Sequence, residues 1–381
     1  MVVFLFLGRR LSPPTISEYL SNRRQTVVIQ GTNSKDSEVR SGVPQGTVLG
    51  PILFLVYIND LEQCIKDCTV SSFADDTRIK KQINKTSDVD TLQAGVNSSA
   101  KWSQENNMSL HQHKFELLTH SSSKQNLIRE LPFSSQYYEY TTQDGQAIEA
   151  KSMVRDLGIH ITPEVSFTPH INIICNKARQ MSAWVLSVFS DRRTTTMLTL
   201  YKAMIRNMVE YCSPLWSPSK ISDIQTLETV QRHFTSKISG HADMSYWERL
   251  SSLNLMSLQR RRERYTIVMM YKILQNKVPN DLHITFQRSD RRGIRATLPA
   301  MIRGSTLKAQ SSYDDSFAVM GPKLWNCIPA DTTLKDSLTS FKTSLGKFLE
   351  QIPDCPPVAG YTTANNNSIL SYAVCGRLSG R

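Results

Sequence analysis

A forced chain reversal at Phe73-Ala74-Asp75-Asp76 constrains this 381-residue chain more than any other feature. Val70, Ser72 and Ala74 alternate with Ser71 and Phe73 before it. Thr77-Arg78-Ile79-Lys80 resumes the alternation after it, the period-two pattern of two paired strands. Adjacent carboxylates repel each other and resist burial, so the tip of this hairpin must face water or a cation. Asp tolerates the positive φ of a tight turn, and the turn alone therefore accounts for one of the two acids. A divalent cation accounts for both.

Upstream, Ser41-Gly42-Val43-Pro44-Gln45-Gly46-Thr47-Val48-Leu49-Gly50-Pro51 sets three glycines and two prolines in one loop ahead of the apolar run Ile52–Leu61. Such a loop reaches backbone angles closed to other residues and lets a second backbone or a base come close. Pro51 suits the first turn of the following helix, where a missing N–H does no harm. Taken by itself, the segment also reads as a plain strand-to-helix turn feeding a buried helix.

The middle of the chain is helical in pattern. Ile171, Ile174, Ala178, Met181, Val185 and Val188 recur at three- and four-residue steps after Pro169, which fits a first helical turn. Met197, Leu200, Met204 and Met208 make a second apolar face, and Ile224, Leu227, Val230, Phe234 and Ile238 a third behind a cap at Ser222. Tyr265, Val268, Met269 and Ile273 form a fourth, preceded by Arg260, Arg261, Arg262 and Arg264. Cations in a first helical turn oppose the helix dipole. These arginines therefore serve a partner, for which a phosphate backbone is the obvious candidate, or they form a solvated patch. Arg288, Arg291, Arg292, Arg295 and Arg303 follow in a weakly patterned linker. An amphipathic segment at Phe341–Phe348 and a Pro- and Asn-rich tail, expected to be loosely ordered, complete the chain.

A formal net charge of +12 suits a polyanionic partner. Seven cysteines, an odd count without a secretory signal, argue for reduced thiols and against a disulfide-linked partner. Cys64, Cys68, His111 and His113 match no common zinc-finger spacing. The opening Met1–Leu7 is apolar but lacks a basic flank and is shorter than a signal-peptide core or a membrane span. The expectation is a soluble intracellular chain, in nucleus or cytoplasm, with no membrane partner.

Taken together, SGVPQGTVLGPILFLVYINDL (Ser41–Leu61) and FADDT (Phe73–Thr77) resemble the reverse transcriptases of non-LTR, LINE-like retrotransposons of the jockey and chicken-repeat type. The likeness continues through Trp102, Asn106-Asn107-Met108-Ser109-Leu110 and Lys114-Phe115-Glu116-Leu117-Leu118. It extends to Val154-Arg155-Asp156-Leu157-Gly158-Ile159, Tyr211-Cys212-Ser213-Pro214-Leu215-Trp216 and Gly321-Pro322-Lys323-Leu324-Trp325-Asn326. The resemblance implies an α+β chain in three parts. Residues 1–165 would be a partial polymerase palm, an antiparallel sheet with helices; 166–285 an all-helical thumb and connection; and 286–381 a basic linker and tail.

The same resemblance implies RNA-directed DNA synthesis from an RNA template, a DNA primer and deoxynucleotides, with two Mg²⁺ ions, or Mn²⁺ in their place, at the reacting phosphate. Asp75 would be the ligand shared by both ions and Asp76 a weaker or indirect one. Lys114 would stabilise the leaving pyrophosphate, although by sequence alone it reads as well as an exposed loop lysine. Pro44, Gln45 and Gly46 would line the nascent base pair, and Leu157 and Gly158 would position the primer.

One part of the family pattern is missing. The family carries a catalytic Asp on a palm strand upstream of the Gly-Pro loop, whereas the acids before Ser41 are Glu18, Asp36 and Glu38, none in a matching setting. Residues Tyr19–Val28 resemble the family's segment between those two motifs. The expectation is an N-terminally truncated domain without fingers or endonuclease, which does not polymerise as it stands because an incomplete metal site forfeits the dominant electrostatic term. The alternative is a catalytically dead fragment that only binds nucleic acid.

Overall fold

A computed structural model describes residues 13–120, 139–280, 284–289, 293–297, 315–360 and 367–374. Met1–Leu7, Arg291, Arg292 and Arg303 lie outside these described residues. The chain divides into two compact units, the first built from residues up to Ala150 and the second from Lys151 onward with the short stretch Leu118–Ser122.

The first unit opens with α1 (Pro13–Leu20) and a nested pair of ladders. In these, β1 (Arg24–Gln25) pairs with β4 (Ser37–Glu38) around the hairpin of β2 (Val28–Ile29) and β3 (Thr32–Asn33). Then come α2 (Leu49–Ile58), α3 (Leu61–Cys64), the hairpin β5 (Thr69–Phe73) and β6 (Asp76–Lys80), and the long α4 (Thr86–Glu105). A parallel contact between β7 (Glu116–Leu117) and β8 (Glu149–Ala150) closes the unit.

Its small core gathers Ile58, Leu61, Ile65, Val70 and Trp102, and the Trp102 indole N–H donates to the Asp60 carboxylate at 2.9 Å. Gly95 lets α4 approach the hairpin. A Cβ there would lie 3.3 Å from both Ile65 and Cys68 and 3.5 Å from Ile79 of β6.

The second unit begins with the hairpin β9 (Val154–Asp156) and β10 (Ile159–Ile161) and is otherwise largely helical. Helix α5 (Thr168–Val188) carries Pro169 in its first turn and buries Ile171, Ile174, Cys175, Ala178 and Val185, as the periodicity predicts. Val188, expected on that face, is 57% exposed because the helix ends there.

The next apolar face is displaced. Helix α6 (Thr194–Leu200) runs through a π turn at Tyr201–Ile205 into α7 (Arg206–Glu210), and the extra residue per turn buries Met197, Tyr201, Ile205 and Val209. Leu200, Met204 and Met208, which a regular 3.6-residue period selects, are left only partly buried.

After α8 (Ser213–Trp216), helix α9 (Ile221–Thr235) buries Ile224, Leu227, Val230 and Phe234 as expected. Its cap is Lys220 instead of Ser222. Helix α10 (Tyr246–Ser252) precedes α11 (Leu258–Leu274), which is buried on nearly every face and forms the axis of the unit.

Among the described residues beyond Pro279, helices and a hairpin form where the composition suggests a linker and a loose tail. After the hairpin β11 (Thr285–Ser289) and β12 (Gly293–Thr297) come α12 (Phe317–Trp325), α13 (Ala330–Thr333), α14 (Leu338–Glu350) and α15 (Ile369–Val374). Trp325, Phe341, Leu345, Ile352 and Ile369 form one core with Ile267, Met270 and Tyr271 of α11. The amphipathic segment at Phe341–Phe348 falls within α14, as its spacing predicts, and Ile352 and Ile369 of the Pro- and Asn-rich tail join the same core on α11.

The described residues are α+β, with strands that pair only in twos. No described helix is long and apolar enough to cross a membrane.

Candidate functional site

The acidic hairpin has the reversal expected, with one change in who bears the strain. Phe73 pairs with Asp76, leaving Ala74 and Asp75 as a two-residue turn, and the positive φ (52°) falls on Ala74. Neither acid is required by the backbone. A left-handed Ala costs on the order of 1 kcal/mol, and such strain concentrates at functional positions. Phe73 is 64% exposed at the tip, and both carboxylates are exposed with no ion pair among the described residues. Ser72 and Thr77 exchange a hydroxyl contact of 3.1 Å across the strands and hold the tip narrow.

Among the described residues no group of three or more His, Cys, Asp and Glu side chains is placed to hold a metal ion. Two carboxylates on one turn are fewer than two octahedral cations require, so the residues present do not fit a complete two-cation site.

The Gly-Pro loop is built around Thr47, whose role the sequence reading missed. Its hydroxyl donates to the Pro44 carbonyl at 2.9 Å and accepts from the Tyr19 hydroxyl at 2.9 Å and the Gly50 N–H at 3.1 Å. A Cβ on Gly50 would lie 2.5 Å from the Pro44 carbonyl oxygen, so only glycine fits. Arg23 ties the end of α1 to the start of the loop, donating to the carbonyls of Leu20 and Gly42 at 2.9 and 2.6 Å. Gly42 and Gly46 both take φ 76°, and the result displays Gln45 and Gly46 to solvent with Pro44 half-buried. The one cue in the sequence was a hydroxyl three residues after a proline and three before a glycine, the spacing of a local side-chain turn.

Lys114 ends a short 3₁₀ turn, Gln112–Lys114, and is exposed. Leu157 and Gly158 lie in the second unit, at the turn joining β9 and β10, where both take positive φ (44° and 89°) as a two-residue type I′ hairpin requires. Tyr211 supports this turn. Its hydroxyl donates to the Leu157 carbonyl at 3.1 Å, and its ring lies 3.5 Å from the position of a Gly158 Cβ.

The arginine cluster requires a correction. Arg260 and Arg262 are each only 1% exposed and cannot form a phosphate-binding surface. Arg260 donates to the carbonyls of Pro353 and Asn367 at 3.1 and 3.0 Å and pairs with Glu263 at 3.7 Å. Arg261 forks onto Glu210, which also pairs with Arg206 at 3.5 Å. Arg262 is buried near Glu228, Glu210 and Glu263. Burial pulls its pKa below the ordinary arginine value, and those carboxylates partly oppose the shift. Arg264 is partly exposed and makes no ion pair among the described residues. The partner implied by cations in a first helical turn is therefore the chain itself: its own glutamates and the carbonyls of its C-terminal segment.

A second buried polar network lies beside these groups. Tyr201 donates to Gln231 at 2.7 Å, Gln231 to Tyr246 at 2.9 Å, and Tyr246 to Glu228 at 2.6 Å. Burial raises the Glu228 carboxyl above its usual range, countered mainly by Arg262.

Residues 8–161 match the family model described as reverse transcriptase (RNA-dependent DNA polymerase). Among similar curated proteins, a probable RNA-directed DNA polymerase from transposon X-element of Drosophila melanogaster is 23% identical over 59% of this chain and 24% of its own length. The RNA-directed DNA polymerase from mobile element jockey of the same fly is 23% identical over 62% of this chain and 26% of its own. A probable RNA-directed DNA polymerase from transposon BS of that fly is 23% identical over 66% of this chain and 28% of its own length. The matched region thus spans about a quarter of the length of these relatives.

Proposed function

Residues 8–161 carry a reverse transcriptase domain, related to the RNA-directed DNA polymerases of non-LTR transposons, and we propose that the chain supplies part of the active site of such an enzyme. The substrates would be an RNA template, a DNA primer and deoxynucleotides, met inside the cell, in nucleus or cytoplasm. The observation that carries the reading is the hairpin tip, where Asp75 and Asp76 are exposed and unneeded by the turn. A side-chain pair that the fold does not use, on a strained backbone, is best explained by chemistry.

In enzymes of this class divalent cations offset the charge developing at the transferred phosphate. Asp75 and Asp76 would contribute to holding them, with further ligands still needed. Gln45 and Gly46 are displayed on a loop rigidified by Thr47 and Arg23, which suits close approach of a base pair. Lys114 offers an exposed cation for the leaving group. Residues 1–165 would act as palm, with the Leu157–Gly158 turn holding the primer strand, and the helices within 166–285 would act as thumb.

On this reading the chain alone binds primer–template without extending it. Incubation with a primed RNA template, deoxynucleotides and Mg²⁺ should give no extension, and gel-shift should show binding that weakens with salt. Extension abolished by Asp75→Ala would overturn the partial-site reading in favour of a complete enzyme. Absence of both extension and binding would overturn the functional reading altogether.

A further inference from the structure

A cleft of about 450 Å³ opens at the C-terminal end of α4, lined by none of the residues assigned above to the hairpin, loop or turn. Ala100, Met108, Leu110 and Phe115 supply its apolar lining, and Ser103, Gln104, Asn107, Ser109 and Gln143 its polar atoms. Among the described residues no charged side chain lines it, which disfavours a phosphate or a metal ion as its occupant. The volume lies within the range of small-molecule sites, roughly 300–1,000 Å³.

The polar groups are arranged in a specific way. Gln143 donates from its amide nitrogen to the Gln104 side-chain carbonyl at 3.2 Å. That single bond leaves the Gln104 amide nitrogen as donor and the Gln143 carbonyl oxygen as acceptor on neighbouring side chains, with the Asn107 amide beside them on a residue held at φ 53°. A donor next to an acceptor matches the edge of a nucleobase, and a phenyl ring in the lining supplies a face on which such a base can stack. The segment that builds one wall also carries Lys114 exposed, so a cation borders the neutral cleft.

We propose that this cleft takes one unpaired, flipped-out base of a single-stranded nucleic acid, with Phe115 as the stacking surface and Gln104, Asn107 and Gln143 reading its edge. The site goes beyond the polymerase reading and does not depend on it, because Asp75 and Asp76 take no part.

The test uses the full chain and a short single-stranded DNA carrying one fluorescent adenine analogue, compared with the same strand made abasic at that position. Stacking should quench the analogue on binding, and the abasic strand should bind more weakly by about tenfold, the loss of one stacked base. Phe115→Leu, which keeps an apolar side chain, should abolish the quench. Gln104→Ala and Gln143→Ala, both at exposed positions, should weaken binding of the base-bearing strand only.

Equal affinity for the two strands, no quenching by the wild-type chain, or unchanged behaviour in the glutamine variants would overturn the proposal. If Phe115→Leu fails to fold by circular dichroism, the glutamine variants and the abasic comparison still decide it.

Discussion

The Tyr211 hydroxyl donates to the Leu157 carbonyl at 3.1 Å, tying the end of α7 to the tip of the β9–β10 hairpin across 54 residues of sequence. The turn it braces is strained, since Leu157 sits at φ 44°. Removing the brace alone, with Tyr211→Phe, should cost about 1 kcal/mol in urea unfolding, the net worth of one hydrogen bond. Gly158→Val should cost more, because a β-branched side chain is strained at φ 89° and meets the Tyr211 ring. A Gly158→Val variant as stable as the wild type would mean that the turn is not seated on Tyr211.

The exposed acids should be dispensable for folding. Asp75→Ala and Asp76→Ala should change stability by no more than about 0.5 kcal/mol, as surface substitutions do, or raise it slightly by removing like-charge repulsion. A marked drop in the thermal midpoint of either variant would assign the pair a structural role and undercut the proposed chemistry.

Two buried groups give opposite pH dependences over nearly the same window. His170 is 2% exposed against Trp216 and His160, and burial holds its pKa down to about 4 from 6.5. Between those values the unfolded chain binds more protons, so this contribution makes stability rise with pH. Glu263 is pushed up to about 7 from 4.5 by burial, opposed by Arg260 and by hydrogen bonds from Ser368 and Ile369. There the folded chain binds more protons, so stability falls as pH rises across that range. Each effect is on the order of 3 kcal/mol, and the two largely offset each other. Chemical unfolding from pH 4 to 7.5 should therefore show a shallow profile in the wild type. Glu263→Gln should leave a profile that rises with pH, and His170→Asn one that falls. Parallel profiles in all three proteins would rule out these shifts.

Neutralising Arg260 should act on the fold and not on nucleic-acid affinity. Arg260→Ala removes donors to Pro353 and Asn367 and strands buried Glu263, a loss of about 3 kcal/mol or more. Its salt slope for DNA binding, measured at a temperature where the variant is folded, should equal that of the wild type. A slope reduced by about one unit would return Arg260 to the phosphate-binding surface.

Much of the local structure was legible in the sequence because its causes are local. The alternation on either side of Phe73–Asp76, the glycines of the loop at Ser41–Pro51, the proline in the first turn of α5 and the apolar spacing of α9 all act within a few residues, and each appears where its pattern puts it. The same holds for Asp75 and Asp76, whose exposure follows from like charges refusing burial. Even the π turn at Tyr201 leaves a trace in hindsight, since Met197, Tyr201, Ile205 and Val209 step by four without drifting back to three.

What the tertiary structure alone decided was the destination of the charges and of the chain's end. Four arginines in the first two turns of a helix carry the same local signature whether they face solvent, phosphate or the interior. Only Glu210, some 51 residues before Arg261, and the Pro353 and Asn367 carbonyls, 93 and 107 residues from Arg260, resolve it. Beyond Phe348 the C-terminal segment has no strong pattern of its own, yet Ile352 and Ile369 join the core on α11 because that helix leaves apolar faces to cover. Turn and period are short-range properties of a sequence. Whether a cation is buried depends on which distant acid and carbonyl groups the fold brings to compensate the loss of water.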